Sequence, residues 1–185
     1  YNLGQGGLGL PEREYYFKND SATIHIRDEY TKHISKMLSM AGEDTAKAAA
    51  AAKNILALET KLATASRKIE DLRDPYKNYN KMAITDLGKM AGSVDWVNYL
   101  KNTGVNSVDS VIVGQPEFFN ALNTALSATP IDVWKQYIRF NLLNDMAGVL
   151  PDAYGNQAFQ FNKLFSGAKE RKPRWKRAIQ MEEGA

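Results

Sequence analysis

The chain has 185 residues, of which 44% are hydrophobic and 24% charged, and this balance supports a packed core and excludes an intrinsically disordered class. It contains no cysteine, so disulfides and thiolate metal sites are excluded. No apolar run approaches the roughly 18 residues that a membrane-spanning helix needs. The first residue is Tyr1 rather than Met, and we expect the chain to be a piece of a longer protein.

The net charge of +3 is local rather than spread over the chain. The segment from 163 to 177 holds seven basic residues and one acid, so the remainder is net acidic. Because this surplus is short, we expect no nucleic acid contact, and Trp175 and Ile179 form too small an apolar face for membrane contact. The segment is interpreted as a basic helix that faces either an acidic surface of an absent domain or solvent.

The first third of the chain predicts a loop followed by two long helices. The glycine-rich opening ends at Pro11 and is typical of a loop. Apolar residues then recur at helical spacing until Gly42: Tyr30, Ile34, Met37, Leu38 and Ala41. The stretch from Asp44 to about Ser66 has no Gly or Pro and gives the strongest helix prediction, with an apolar stripe of Ala48, Ala51, Ile55, Leu58 and Leu62.

The middle of the chain predicts a loop and two short helices. Pro75 should keep the segment up to Asn80 out of helix, because the residue before proline disfavours the helical conformation. A short helix is expected from Thr85 to Ala91, with Thr85 as its N-cap, and another after Ser93 that ends before Gly104. The β-branched run Val111-Ile112-Val113 predicts a lone strand.

The last third predicts four helices. One opens at Pro116, and the next has Thr129 as cap, Pro130 at its first position and an end at Leu150. We expect this second helix to be the most buried, since apolar residues cover much of it: Trp134, Tyr137, Ile138, Leu142, Met146 and Val149. The others run from Ala153 to Phe165, before Gly167, and from Pro173 to Ala185. The fold class is therefore all-α, a multi-helix domain with at most one or two short strands.

Two spacings resemble functional motifs but predict none. Gly4 to Gly9 fit a G-x-G-x-x-G pattern, yet no strand precedes them and Pro11 follows, so a tight loop is favoured over a phosphate site. His25, Glu29 and His33 lie four residues apart, but they span about 12 Å of helix, which one zinc ion cannot bridge. A solvated helix face is the better interpretation, and the chain has no H-E-x-x-H.

A series of motifs, in order along nearly the whole chain, resembles the neprilysin-like zinc metallopeptidases. The opening segment is similar to their LGLP-x-R-[DE]-YY run. The later matches are Tyr30-x-x-His33-Ile34-x-x-Met37-Leu38, Ile55-Leu56-Ala57-Leu58-Glu59, Arg73-Asp74-Pro75, Tyr79-Asn80-Lys81-Met82, Asp95-Trp96, Val111-Ile112-Val113 and Lys172-Pro173-Arg174-Trp175-Lys176-Arg177.

The resemblance implies that residues 1–185 are one helical segment of the non-catalytic lid domain of a larger two-domain peptidase. The parent would hydrolyse peptides with zinc in a catalytic domain that this chain lacks, so no cofactor, metal ligand or catalytic residue is expected here. Partners in the parent would be that catalytic domain and peptide substrates. The missing cysteines suggest a bacterial member, with a secreted, periplasmic or cell-surface location left open.

The positions that carry the resemblance are assigned to loop geometry and packing rather than to chemistry. They are Gly9, Pro11, Tyr15, Tyr16, Glu59, Arg73, Asp74, Tyr79, Asn80 and Trp96. The alternative hypothesis is a stand-alone helical binding or scaffold module that has no peptidase partner domain. A well-patterned core supports this alternative, whereas the uncapped C-terminal helix argues against it.

Overall fold

The fold is mainly helical, as a computed structural model that describes residues 1–105 and 107–183 shows. The helices are α1 (Ser21–Met40), α2 (Thr45–Ala65), α3 (Ile69–Leu72), α4 (Ile84–Met90), α5 (Trp96–Asn102), α6 (Pro116–Ala128), α7 (Ile131–Asp145), α8 (Asp152–Ser166) and α9 (Arg174–Glu183). Short 3₁₀ helices cover Arg13–Tyr16 and Met146–Gly148. The predicted helical class is confirmed.

Three strands form one small sheet, which is more than the one or two strands predicted. They are β1 (Asn2–Leu3), β2 (Lys81–Ala83) and β3 (Ser110–Val113). The central strand β3 pairs parallel with β1 and antiparallel with β2, so the prediction of a lone strand is wrong. Val111 and Val113 are buried while Ile112 is half-buried, the alternation expected of a strand with one face on the core.

The chain divides into two compact units, which we describe separately. The first unit comprises Tyr1–Asn19 and Leu56–Ile131, and the second comprises Asp20–Ile55 and Asp132–Ala185. The core of the first unit includes Leu58, Leu62, Leu87, Trp96, Leu100, Val111, Val113, Phe118 and Phe119. The core of the second includes Tyr30, Ile34, Met37, Leu38, Ile55, Phe140 and Phe161. That residues 1–185 form one segment of a larger enzyme stays a prediction.

Local sequence signals explain the ends of the two long helices. The Asp20 carboxylate accepts the Thr23 backbone N–H at 2.9 Å and caps α1, and Asp44 accepts the N–H groups of Ala46 and Lys47 at the start of α2. After α1, Gly42 takes a φ of +90°, a conformation that favours glycine. The predicted end of α1 and both predicted bounds of α2 are confirmed to within a few residues.

Other predicted helix starts are wrong. Helix α4 begins at Ile84 with Ala83 at its N-cap, so Thr85 lies inside the helix and does not cap it. The buried Oγ1 of Thr129 has no hydrogen-bond partner among the described residues, so the predicted side-chain cap of α7 is not formed. The predicted opening loop contains β1, because two of its residues pair with β3.

Helix α7 is not the most buried helix. It ends at Asp145, well before Leu150, and Phe140 is its one buried residue. Ile138 and Leu142 are 61% and 58% exposed, so part of its apolar surface is not covered by the described residues. The predicted end of the last helix at Ala185 lies outside the described residues. None of the helices described is long and apolar enough to cross a membrane.

Candidate functional site: the Glu59–Tyr16 contact and the Arg67 network

Glu59 is a fully buried acid in the first unit, held by the opening loop. Its Oε2 accepts a hydrogen bond from the Tyr16 hydroxyl at 2.7 Å and another from the Gly9 backbone N–H at 3.4 Å. The same hydroxyl accepts the N–H of buried Leu10 at 3.1 Å. A buried carboxylate requires such donors, since desolvation without them is costly. The contact therefore fastens the glycine-rich loop to α2.

Tyr16 is poorly suited to proton transfer at neutral pH. Burial, followed by the charge of Glu59, raises the pKa of the Tyr16 hydroxyl far above its ordinary value of 10.0. The backbone N–H of Leu10 acts in the opposite direction but does not offset this rise. A catalytic acid or base should instead have a pKa near the working pH. That Glu59 and Tyr16 serve packing and loop geometry stays a prediction.

The chain around Tyr16 explains why the contact forms. Residues Arg13–Tyr16 make a 3₁₀ turn, which carries Tyr16 into the core while Tyr15 stays half-buried. Pro11 precedes this turn and is exposed. On the other side, Glu59 lies on the same helical stripe as buried Leu58, Leu62 and Ala63. Glu59 is the one acid on this stripe, so α2 places its carboxylate against the opening loop.

Arg67, just after α2, is the centre of a second polar network that the sequence did not predict. Gln5 pairs with its backbone in both directions: the Arg67 N–H donates to Gln5 Oε1 at 2.7 Å, and Gln5 Nε2 donates to the Arg67 carbonyl at 3.0 Å. The Arg67 guanidinium donates to both carboxylate oxygens of Glu117, and also to the carbonyl of Lys77 and to Asn78. The planar guanidinium group carries several N–H donors and can make these hydrogen bonds at the same time.

The Arg67 network continues through Gln115. Gln115 Oε1 accepts the Gln5 backbone N–H at 2.7 Å, and its Nε2 donates to Asn78 Oδ1 at 2.6 Å. The hydrogen bond between Arg67 and Glu117 lowers the pKa of the Glu117 carboxyl and raises the pKa of the Arg67 guanidinium. The partners lie far apart in sequence, which is why no local spacing revealed them. The network therefore ties the opening loop, the loop before β2 and the start of α6 together.

The four predicted positions between α3 and β2 lie in one loop. Asp74 accepts the N–H groups of Tyr76 and Lys77, which is the pattern of an Asx turn. Asn80 Nδ2 donates to the carbonyl of Gly114 at 3.2 Å and so connects the loop to the end of β3. Arg73 is exposed and Tyr79 is 61% exposed. That these residues serve loop geometry alone stays a prediction.

Trp96 is the first residue of α5 and lies in the core of the first unit. Only 7% of it is exposed, its Nε1 donates to the carbonyl of Ala91 at 2.8 Å, and its ring packs edge-on against Phe119 and Tyr99. A buried Trp with a satisfied N–H is typical of core packing. That Trp96 serves packing and not chemistry stays a prediction.

His33 is buried, so the predicted solvated face of His25, Glu29 and His33 is wrong at this position. Only 1% of His33 is exposed, and its two ring nitrogens lie at hydrogen-bond distance from Asn144 and Gln157. The missed signal was its spacing, three residues after Tyr30 and four before Met37 on the buried stripe of α1. His25 remains exposed.

The chain's residues do not fit the zinc site that the family resemblance implies for a parent enzyme. Within residues 1–105 and 107–183, no group of three His, Asp or Glu side chains is arranged to hold a metal ion. Both nitrogens of His33 are engaged by amides, and the His25 side chain lies two turns away on α1. We therefore derive no chemistry through zinc from these residues.

The described residues form a mainly helical fold of two compact units with one small three-stranded sheet. The sequence model of the N-terminal region of peptidase family M13 matches residues 1–185, and the chain belongs to this family of zinc metallopeptidases. The resemblance found in the sequence is thereby confirmed.

Curated relatives of the chain are much longer proteins. It is 25% identical over 182 residues to endothelin-converting enzyme 1 of Bos taurus, a match that covers 94% of this chain and 24% of that protein. The human enzyme of the same name is 24% identical over 180 residues, with 94% and 23% covered. The chain thus spans about a quarter of the length of these relatives.

Solved bacterial structures share its fold. The zinc metalloprotease Zmp1 of Mycobacterium tuberculosis in its open state superposes with a TM-score of 0.92 at 28% identity, covering 99% of this chain and 29% of that one. PepO from Lactobacillus rhamnosis gives a TM-score of 0.82 at 19% identity, with 99% and 29% covered, which shows the fold alone.

Proposed function

We propose that this chain is a non-catalytic helical segment of a zinc-dependent metalloendopeptidase and forms part of the wall and lid over its active-site chamber. The observation that carries the proposal is the M13 N-terminal match along all 185 residues. The fold likeness to Zmp1, a zinc metalloprotease, supports it. In the parent, the partners would be the catalytic domain of the same polypeptide and the peptides that enter the chamber.

The described residues hold no group of three His, Asp or Glu side chains that could bind a metal ion. We assign the zinc ligands and the residue that activates water to a part of the parent outside this chain. A wall over a chamber must keep its shape as peptides enter and leave. The Arg67 network and the Glu59–Tyr16 contact fit this need, because each ties the opening loop to another element of the first unit.

The first experiment compares the isolated chain with the full-length parent, expressed from the gene that encodes it. Both are given zinc and an unstructured peptide. We expect the parent to hydrolyse the peptide in a zinc-dependent way and the isolated chain to release no product. Zinc-dependent turnover by the isolated chain would overturn its non-catalytic role. An inactive parent without a downstream H-E-x-x-H would overturn the peptidase assignment and favour a stand-alone helical module.

The second experiment tests the wall in the parent by loosening the Glu59–Tyr16 contact with Tyr16→Phe. We expect kcat/KM for a long unfolded protein to rise relative to that for a short peptide, at unchanged zinc content. The matched control is Tyr79→Phe, which removes the hydroxyl of a 61% exposed tyrosine. Faster amide exchange in the opening loop would show that Tyr16→Phe has loosened it. If the ratio of the two kcat/KM values then stays unchanged, the wall role is contradicted.

A further inference from the structure

Within the described residues, the contacts of one buried base of the second unit are made by uncharged side chains. We call this set the His33 cluster, and it consists of His33 on α1, Phe140 and Asn144 on α7, and Gln157 and Phe161 on α8. The imidazole stacks on the Phe161 ring at 4.9 Å between centroids and 8° between planes, and Phe140 meets it edge-on at 5.7 Å. One side chain of α1 therefore contacts both α7 and α8.

The two amides that flank the imidazole fit its neutral form. His33 Nε2 lies 2.9 Å from Asn144 Oδ1, an acceptor, so Nε2 carries the proton. His33 Nδ1 lies 3.3 Å from Gln157 Nε2, a donor, so Nδ1 accepts. A second proton on Nδ1 would face the N–H of Gln157. The charged ring thus loses one of its two hydrogen bonds unless the Gln157 amide turns over.

Burial also opposes a charge on this ring. It lowers the pKa of His33, while the hydrogen bond to Asn144 acts in the opposite direction and does not offset it. The stacked ring of Phe161 would attract an imidazolium, but this attraction offsets only part of the cost of removing the charged ring from water.

Among the residues that the structure describes, the His33 ring forms no ion pair with the elements that pack on it. The contacts from α7 and α8 are two phenylalanines and two amides. On α1 itself, Glu29 lies one turn before His33 and pairs with Lys32 at 2.7 Å, and Lys36, one turn after it, is exposed. An imidazolium at this position would therefore be buried without a carboxylate partner.

We propose that the His33 cluster is an acid-sensitive latch: protonation of the imidazole releases the packing of α1 against α7 and α8 within the second unit, and deprotonation restores it. The opened form exposes His33 to water, where it binds a proton readily. Acid therefore shifts the population toward the opened form. The latch is a property of the chain itself and does not depend on the proposed peptidase role.

The chain supplies its own control, because it has two histidines and both lie on α1. His25→Gln removes the exposed one and leaves His33 as the only titrating imidazole. His33→Gln removes the buried one and keeps a neutral side chain. Hydrogen exchange of backbone amides, corrected for intrinsic rates, is measured by mass spectrometry from about pH 7.5 to about pH 5, a range in which histidine titrates but most carboxylates do not.

We expect the opening constants of α1, α7 and α8 in the wild type and in His25→Gln to rise as pH falls, by up to about tenfold per pH unit below the ordinary histidine pKa. The rise should be absent from His33→Gln. Opening that does not change with pH in His25→Gln would overturn the latch, and so would a full pH response in His33→Gln.

A second measurement does not require His33→Gln to fold. Nitrogen NMR of His25→Gln reports the tautomer and charge of the single remaining imidazole. We expect a neutral ring protonated on Nε2 in the folded protein at about pH 6, below the ordinary histidine pKa. A charged ring, or a proton on Nδ1, in the folded protein at this pH would overturn the proposal.

Discussion

The two units bury their polar groups in different ways. The first unit buries an acid, Glu59, against Tyr16 and ties its loops together through Arg67. The second buries a base, His33, between two aromatic rings and two amides. The first unit thus depends on charged and hydrogen-bonded loops, whereas the second depends on helix packing around a neutral ring. We therefore expect the two units to respond to mutation and pH in different ways.

Removing an aromatic ring from the second unit should have the largest effect. Phe140 is 1% exposed and contacts both Tyr30 and His33 edge-on. Phe140→Ala leaves a cavity, and we expect a loss of about 3–5 kcal/mol in the opening free energy of α1, α7 and α8. Hydrogen exchange resolved by peptide is the appropriate measurement, since a chain with two units need not unfold in one step.

Ile138→Ala on the same helix is the control for Phe140→Ala. Ile138 is 61% exposed, and its truncation should change the opening free energy by about 0.5 kcal/mol or less. Equal losses from the two variants would mean that Phe140 is not the packing centre of the second unit.

In the first unit, the largest single effect should come from Tyr16→Phe. The variant keeps the ring but removes a donor from the buried Glu59 and an acceptor from Leu10. We expect a loss of about 1–3 kcal/mol in the opening free energy of the opening loop and the adjoining part of α2, because a buried polar group left without its partner is costly. Amide exchange of the peptides that contain Gly9 and Glu59 measures it.

Tyr79→Phe serves as the control here, since the Tyr79 side chain is 61% exposed. It should change stability by no more than about 0.5 kcal/mol. If Tyr16→Phe proves as stable as Tyr79→Phe, the first unit does not depend on its buried acid, and the contrast drawn between the two units is wrong.

The pH response should differ in sign between the units. The folded-state pKa of Tyr16 is raised, so its stabilising contribution is complete below the ordinary tyrosine pKa of about 10 and is lost as pH rises above it. The loss should reach up to about 1.4 kcal/mol per pH unit. The folded-state pKa of His33 is lowered, so the second unit instead loses stability as pH falls.

Ultraviolet titration of tyrosinate checks the alkaline half of this prediction. One tyrosine should ionise only when the first unit opens, and Tyr16→Phe should remove that delayed step. If every tyrosine of the folded wild type titrates near the ordinary pKa, Tyr16 is not buried against Glu59 as described. The acid half is checked by the histidine variants.

The sequence predicted the long helices well but the sheet poorly, for a physical reason. Helices α1, α2 and α8 are defined by spacing within one segment, and their capping residues Asp20, Asp44 and Gly167 lie beside them. Strands β1 and β2 have only two and three residues, and they exist because β3 pairs with them across a long stretch of sequence. No local pattern reports such a pairing.

The burial of α7 and the polar contacts show the same limit. The apolar residues of α7 predicted burial, but a pattern reveals an apolar surface and not what covers it. The Glu59 position came from the family resemblance, while its contact with Tyr16 had to be seen in three dimensions. Gln5 bonds to Arg67 and to Gln115, which lie 62 and 110 positions away in sequence. No local sequence pattern predicts a network with such separations.

The smallest predicted effect compares one glycine from each unit. Gly88 lies inside α4, and a Cβ there meets nothing within 4 Å, so Gly88→Ala should stabilise the first unit by up to about 1 kcal/mol through helix propensity. A Cβ on Gly155 in α8 would overlap the guanidinium of Arg171, which must move and release Asp152 and Asn156. The Arg171 side chain is 17% exposed, but that of Asp152 is 72% exposed, and an ion pair with one partner so exposed to water contributes little. We therefore expect Gly155→Ala to lie within about 0.5 kcal/mol of neutral by amide exchange, because the gain in propensity and the lost contacts offset each other. A loss above about 2 kcal/mol would show that the Arg171 contact, and not only aromatic packing, holds the second unit together.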